Sequence, residues 1–175
     1  MNVPIESEAE IAIALRLALR RLAKAVVVMT CRYEDRRLAM AATAVSELSM
    51  APPSMLVCVN REASLHAPFS GGAAFAINIL RADQRDIADA CGGKVRGEAR
   101  FALGDWRDDL LGVPVLADAQ AAIICDHASA LTFGTHTVFI GQVRSAFTVG
   151  EVDPLIYADG RFGAMHWSAA ERAPS

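Results

Sequence analysis

Short apolar segments of strand length recur along this sequence more often than helical segments do, and the two kinds do not alternate one for one. A doubly wound parallel sheet requires that alternation, because each parallel crossover carries a helix between its strands. The order of segments therefore predicts a mainly β protein, an antiparallel β-barrel with peripheral helices. The strand-like segments are 26–30, 38–45, 55–59, 73–77, 121–126, 131–133 and 136–149. The last is long enough to predict a bend or β-bulge.

Two segments carry helical signals. Ser7 and Glu10 form an S-x-x-E capping box, and the apolar residues that follow at helical spacing predict an amphipathic helix. These apolar residues are Ile11, Leu15, Leu19 and Leu22. A second helix is predicted from an Asp83 cap to just before Gly92-Gly93, with Ile87 and Cys91 facing inward.

The length of 175 residues predicts one domain, residues 1–175. A net charge of −3 argues against nucleic acid and anionic membranes as partners. No apolar run approaches the roughly 18 residues of a membrane helix, and the acidic residues before the first apolar segment are untypical of an export signal. With 53% hydrophobic residues, the chain is predicted to form a homo-oligomer.

The cysteines and histidines offer little that a metal or a nucleophile would need. Four cysteines lie far apart without a C-x-x-C pair, which favours reduced, mostly buried thiols and a cytoplasmic location. Cys125 and His127 are the one close pair of metal-ligand type, and two residues on one strand face cannot close a site. We therefore expect no metal, and neither a glycine-rich phosphate loop nor a nucleophile elbow is found.

The segment 39–60 is the most informative for function. It holds a strand of small residues, then Thr43 and Ser46, then Pro52-Pro53 and a second apolar strand. Small side chains allow a flat ring to approach the backbone, and the two hydroxyls can bond ring heteroatoms or phosphate. From the residues alone, an ordinary core strand explains this pattern as well as a ligand cradle does.

The same segment resembles the short-chain flavin reductases of two-component flavin monooxygenases, especially the reductases of the hydroxyphenylacetate monooxygenase type. Further matches follow in the same order over roughly residues 15–162. They are 61–66 (REASLH), 75–80 (FAINIL), Gln84, 100–101 (RF), 112–116 (GVPVL), 134–143 (GTHTVFIGQV) and 154–157 (PLIY). The resemblance implies the FMN-binding split-barrel fold.

The resemblance also implies an activity: hydride transfer from NADH or NADPH to FMN or FAD, with the reduced flavin passing to a partner monooxygenase. The apolar composition and the barrel edges predict a homodimer, and the resemblance implies that flavin lies near the subunit boundary. The expected flavin-binding residues are Thr43, Ala44, Val45, Ser46, Cys58, Val59, Asn60, Ser64, Asn78, Ile79 and Leu80. His136 is expected to position the nicotinamide, and Tyr157 to contact it.

Two departures and several alternatives remain at this point. Ala39-Met40-Ala41-Ala42 stands where the family commonly has Gly-Met/Phe-Thr-Ala, which removes one hydroxyl, and Ala51 replaces an Asp before the prolines. His136 could instead be a strand-end residue bonded to a loop carbonyl, and Tyr157 a half-buried strand residue. The alternative function is flavin storage or sensing without turnover. A pyridoxamine-phosphate oxidase is a third reading, disfavoured because the sequence shows no clear basic cluster.

Overall fold

A computed structural model describes residues 7–167, which form a curled antiparallel sheet with short peripheral helices. The strands are β1 (Lys24–Ala25), β2 (Val27–Tyr33), β3 (Arg36–Ala42), β4 (Val45–Met50), β5 (Pro53–Asn60), β6 (Phe75–Ile79), β7 (Trp106–Asp108), β8 (Pro114–Leu116), β9 (Ala121–Phe133), β10 (His136–Thr148), β11 (Leu155–Ala158) and β12 (Arg161–Ala164). The helices are α1 (Glu8–Leu19), α2 (His66–Ser70) and α3 (Arg85–Asp89). A π-helical turn (Ala90–Lys94) and a 3-10 helix (Gly97–Phe101) follow α3.

Seven strands form the main sheet in the order β3-β2-β6-β9-β10-β5-β4. Its two edge strands, β3 and β4, are neighbours in sequence, and residues 43–44 connect them. The Cys58 backbone N–H donates to the Ala44 carbonyl at 2.9 Å, so this connection is bonded to β5 on the far side of the sheet. The sheet therefore curls into a barrel, and the fold class predicted from the sequence is confirmed.

The barrel interior is filled by alternate residues of the strands, as a period of two requires. Met29, Val57, Ile77 and Phe139 are all fully buried in one apolar cluster, although they come from four strands. Gly141 on β10 allows this close packing, because a Cβ there would lie 2.5 Å from the Phe75 ring and 2.6 Å from the Cys125 Cβ. The pairing register of β10 shifts beside Gly141, which confirms the predicted bulge.

A second apolar layer covers the outer face of the sheet. Val28 and Leu80 pack there against Ile87 and Cys91, so both residues predicted to face inward from the second helix are buried. The predicted Asp83 cap is wrong: α3 begins after Gln84, whose side chain bonds the Arg81 N–H and the Asp118 carbonyl rather than its own helix. The helical path also continues through Gly92 as the π-helical turn instead of ending before it.

Helix α1 begins at the predicted capping box, with Ser7 and Glu10 bonded to each other's backbone. The amphipathic prediction is wrong in detail. Ile13 and Leu17 lie off the predicted face, and the helix has no buried residue. Its isoleucines and leucines are 47–59% exposed in the single chain. No helix within residues 7–167 is both long and apolar enough to cross a membrane.

The predicted strand 38–45 is in fact two strands. β3 ends at Ala42 and β4 begins at Val45, because the chain leaves one edge of the sheet at this point and joins the other. Ser46 therefore lies within β4. All four cysteines are free thiols, three of them buried and Cys58 half-buried.

Candidate functional site

A continuous groove follows the free edge of β3, which pairs with β2 on its other side. Three clefts make up the groove, and each shares lining residues with the next. The central cleft, about 730 Å³, shares Thr43 with one neighbour and Ala41 and Gly92 with the other. We call the cleft that contains Thr43, Ser46 and Cys58 the Thr43 end. We call the cleft that contains Arg37, Arg96 and Arg100 the basic end.

The Thr43 end is a cleft of about 420 Å³, lined by Thr43, Ala44, Val45 and Ser46 together with Leu56 and Cys58. Val57 and Val59 point into the barrel, so Cys58 between them faces outward. The connection 43–44 is held over β5 by the bond from Cys58 to Ala44. The structure thus brings together the first four predicted flavin residues and Cys58, which are 12 or more positions apart in sequence.

The side chains at the Thr43 end suit a flat, partly polar ligand. Ala44 and Cys58 are small and half-buried, which leaves the backbone approachable. Within residues 7–167 the Thr43 hydroxyl has no hydrogen-bond partner, although Thr43 lines the central cleft, the cleft of the Thr43 end and a further cleft beside α1. The Ser46 hydroxyl makes only long contacts to Glu47, at 3.2 and 3.4 Å. Both hydroxyls are therefore available to a ligand, and the site fits a flavin ring.

His136 extends the outer face on which Cys58 lies. It is the cross-strand partner of Asn60, two pairs beyond the Cys58–Val138 pair, so the side chains of Cys58, Asn60 and His136 share one face. The imidazole is exposed, and its Nδ1 lies 2.9 Å from the Thr135 hydroxyl. The Asn60 carboxamide oxygen accepts from the Glu62 N–H at 2.9 Å and thereby shapes the loop that leads to Ser64.

Tyr157 flanks the groove on the opposite side. It lines the central cleft and the cleft beside α1, in both cases together with Thr43, and is 38% exposed. Its ring packs edge-to-face on Phe162 with ring centroids 5.3 Å apart. Its ring is supported by this contact while its outer part faces the cleft. This position agrees with a contact between Tyr157 and the nicotinamide, and equally with a half-buried strand residue that has no ligand.

Four predicted flavin residues lie elsewhere or point away. Val59 is buried in the barrel interior, and the half-buried Ile79 packs against the same cluster. Asn78 is fully buried on the outer face, where its amide donates to the Val28 carbonyl and its carbonyl oxygen accepts from the Leu116 N–H. Leu80 is fully buried against α3. The side chains of Asn78 and Leu80 thus stabilise the layer behind the groove, and a contact of either residue with flavin through its backbone stays a prediction.

The basic end was missed by the sequence analysis, which found no cationic cluster. This cleft of about 660 Å³ combines Arg37 of β3 with Arg96 and Arg100 from the segment after α3, and Ser64 lies in the same cleft. Arg100 donates to the carbonyls of Ala39 and Val95 and so fixes that segment against β3. Burial raises the pKa of the neighbouring Cys91 thiol to about 11, with the Arg100 charge acting in the opposite direction. No group of three metal-ligating side chains occurs within residues 7–167.

Comparison with known proteins now identifies the class. The chain belongs to the flavin reductase-like domain family, whose model matches residues 19–166. The matched span includes every residue of the groove described above, from Leu22 at the Thr43 end to Phe162 in the central cleft. The fold and the groove are therefore those of a flavin reductase-like domain.

Individual relatives match most of the chain. The FADH(2)-dependent resorcinol hydroxylase reductase component of Rhizobium sp. (strain MTP-10005) is 42% identical over 151 residues, covering 85% of this chain and 84% of that relative. The FMN reductase (NADH) RutF of Methylorubrum populi is 35% identical over 163 residues, covering 93% and 78%. The crystal structure of BorF, the flavin reductase component of a bacterial two-component tryptophan halogenase, has a TM-score of 0.80 at 28% identity, covering 88% and 98%.

Proposed function

We propose that this protein is an NADH-dependent flavin reductase that supplies reduced FMN or FAD to a partner monooxygenase. The observation that carries the proposal is the Thr43 end of the groove, where the unbonded Thr43 hydroxyl, the weakly bonded Ser46 hydroxyl and small half-buried residues lie on the side of the sheet that carries His136. Family membership and the relatives named as reductase components support the same activity. Relatives named FMN reductase (NADH) support the choice of nicotinamide.

In this proposal the protein binds and orients two small molecules. When bound, the flavin supplies the hydride-accepting ring and the reduced nicotinamide supplies the hydride. Thr43 and Ser46 donate hydrogen bonds to ring heteroatoms or the ribityl chain, and Ala44 and Cys58 keep the floor of the cleft low enough for the ring to lie against it. No side chain has to act as a nucleophile, so the rate depends on how closely the two rings are held.

His136 is assigned to the nicotinamide. It is exposed on the face that carries Cys58 and Asn60, its Nδ1 is bonded to the Thr135 hydroxyl, and its Nε2 has no hydrogen-bond partner within residues 7–167. Nε2 can therefore bond the carboxamide of a nicotinamide. Tyr157, which lines the groove on the opposite side of Thr43, is assigned a supporting contact with the same ring.

We further propose a homodimer that works in the cytoplasm. Helix α1 is apolar nearly all round yet has no buried residue in the single chain, and helices of that kind are normally covered. Leu131 and Phe133 at the tip of the β9–β10 hairpin are 69% and 86% exposed. Four free thiols suit a reducing compartment.

The experiment is a steady-state assay of NADH and NADPH oxidation with FMN, FAD or no flavin. The proposal predicts turnover that requires added flavin and prefers NADH. Oxidation that is independent of flavin would contradict it, and so would tight flavin binding without turnover, which would establish a storage or sensing protein instead. Light scattering at micromolar concentration tests the dimer, and a monomer mass would contradict that part alone.

A further inference from the structure

His136 lies at the end of the strand ladders, where backbone pairing is weakest. It is the first residue of β10, and its pairs with Asn60 of β5 and Phe133 of β9 are the outermost pairs of both ladders. The hairpin tip beside it is exposed, with Phe133 at 86%. Backbone at the end of a ladder opens more readily than backbone within it. The role proposed for His136 therefore requires contacts that fix this end of β10.

The loop between β5 and α2 makes two such contacts, one on each side of His136 in sequence. The Arg61 N–H donates to the Thr135 carbonyl at 3.0 Å. The His66 Nε2 lies 2.9 Å from the Thr137 hydroxyl oxygen. Because Thr135 and Thr137 are the direct neighbours of His136, the loop holds the chain both before and after it.

The contact between His66 and Thr137 belongs to a chain of three polar side chains. The Thr132 hydroxyl oxygen of β9 lies 3.0 Å from that of Thr137. A hydroxyl group can donate and accept at once, so Thr137 bonds both neighbours with either tautomer of the imidazole. Both strands of the hairpin are thereby bonded to the loop. Thr137 is 3% exposed, so water cannot readily replace a lost partner.

His66 is itself anchored on the barrel core. It is the first residue of α2, and its N–H donates to the Ala63 carbonyl at 3.0 Å. Its ring packs edge-to-face against the fully buried Phe139, with ring centroids 5.6 Å apart. His66 is not a lining residue of the three clefts of the groove. Any effect of His66 on the reaction must therefore pass through the residues that it holds.

We propose that His66 is a positioning residue for hydride transfer, which fixes the end of β10 through Thr137 and thereby keeps His136 in place beside the flavin cleft. This inference rests on the proposed function and extends it. A displaced His136 no longer holds the nicotinamide against the flavin ring, and the rate of hydride transfer depends steeply on that distance. The lining of the Thr43 end does not include the hairpin, so flavin binding there should persist.

The test removes this bond from either side. His66→Phe keeps a ring against Phe139 and removes the polar atom, while Thr137→Val keeps the shape and removes the hydroxyl. His66→Gln and Thr137→Ser are the conservative variants, because each retains a polar group that can make the bond. Thr30→Val is the matched control: Thr30 is also a fully buried strand threonine, and its hydroxyl donates to the Pro114 carbonyl away from the groove.

Anaerobic stopped-flow absorbance at saturating riboflavin gives the limiting rate of flavin reduction and its dependence on NADH. We expect His66→Phe and Thr137→Val to lower the limiting rate about 10-fold, a part of the ~10²-fold that a misplacement of about 1 Å can cost. The Kd of riboflavin, measured by fluorescence, should stay within about threefold of wild type, and the conservative variants should recover most of the lost rate. Thr30→Val should lower the melting temperature and keep the wild-type rate.

A double-variant cycle separates positioning from general destabilisation. If His66 acts through His136, His66→Phe causes no further loss of rate in the His136→Ala background. Combining His66→Phe with Thr137→Val should likewise be no slower than either change alone, because both remove the same bond. A merely structural role would give the same fold loss with and without the His136 imidazole.

Three results would overturn the inference: limiting rates of His66→Phe and Thr137→Val within about twofold of wild type, an equal loss in the His136→Ala background, or an equal loss in Thr30→Val. If His66→Phe does not fold, the comparison of Thr137→Val with Thr137→Ser decides by the same criteria. Wild-type protein that reduces no flavin with NADH would refute the proposed function and this inference with it. Wild-type turnover with unchanged variants would refute this inference alone.

Discussion

The two ends of the groove are built in opposite ways. The Thr43 end comes mainly from one stretch of chain, residues 43–58, folded back on itself as β4 and β5, with residues 22–25 completing its lining. It presents hydroxyls and small side chains. The basic end joins β3 to a segment some 60 residues later, through the bond from Arg100 to Ala39. A site formed by one stretch of chain can be predicted from a sequence motif. A site that joins distant segments cannot, because its residues come together only when the chain folds.

This difference has a mechanical consequence. At the Thr43 end the hydroxyls of Thr43 and Ser46 make few contacts within residues 7–167, so their removal should alter binding or rate and leave stability almost unchanged. At the basic end Arg100 both lines the cleft and fixes the segment after α3, so binding and stability are coupled. Four substitutions test that contrast.

The largest effect is expected for His136→Ala. The imidazole is exposed, and among residues 7–167 it is bonded only to the neighbouring Thr135, so its loss should not lower the melting temperature. Without it the nicotinamide loses its orientation, and a misplacement of about 1 Å can slow hydride transfer ~10²-fold. Anaerobic stopped-flow absorbance measures flavin reduction, and a flavin titration of the same variant should give a Kd within a few-fold of wild type. An unchanged reduction rate would remove His136 from the mechanism.

The next largest effect is expected for Gly92→Leu, which fills the space between the two ends. The backbone there accepts a side chain and nothing lies within 4 Å of a Cβ, so the variant should fold. Its Kd for FAD should rise at least ~10-fold because the leucine occupies the ligand's path. Gly163→Leu is the matched control, since Gly163 also has open space but lies outside the groove. Equal FAD binding by both variants would show that the groove is not continuous for the ligand.

The same difference between local and long-range features decides which parts of the fold could be predicted from the sequence. Strand periodicity and the absence of helix alternation sufficed for an antiparallel barrel, and the length of β10 indicated its bulge. The boundary between β3 and β4 at residues 43–44 could not be predicted, because residues 41–45 are all small and strand-like in sequence. The chain nevertheless leaves one edge of the sheet there and joins the other. The buried hydrogen bonds of Asn78 could not be predicted either, since its partners Val28 and Leu116 are 50 and 38 residues away in sequence.

Arg100→Gln tests the coupling at the basic end. The shorter neutral side chain cannot reach both carbonyls, and losing a charged hydrogen bond at a half-buried site should lower the free energy of unfolding by about 1–3 kcal/mol. Thermal or urea unfolding measures this loss, with Arg36→Gln as the reference for removing an exposed charge. A variant as stable as the reference would mean that the segment after α3 is held by its apolar contacts alone.

Thr43→Val should have the smallest effect and completes the contrast. Valine keeps the shape of threonine and removes the hydroxyl, which has no partner within residues 7–167, so stability should stay within about 0.5 kcal/mol of wild type. If that hydroxyl bonds the flavin, losing one neutral hydrogen bond of roughly 1 kcal/mol should raise the Kd of riboflavin about fivefold. Riboflavin is the right probe because it lacks phosphate, so its Kd reports on the Thr43 end alone.

Thr148→Val on β10, exposed and away from the groove, controls for the change of residue type. A loss of stability without a change in riboflavin Kd would mean that Thr43 supports the connection between β3 and β4 rather than the ligand, and the assignment of this end to the flavin ring would then depend on Ser46 and Cys58.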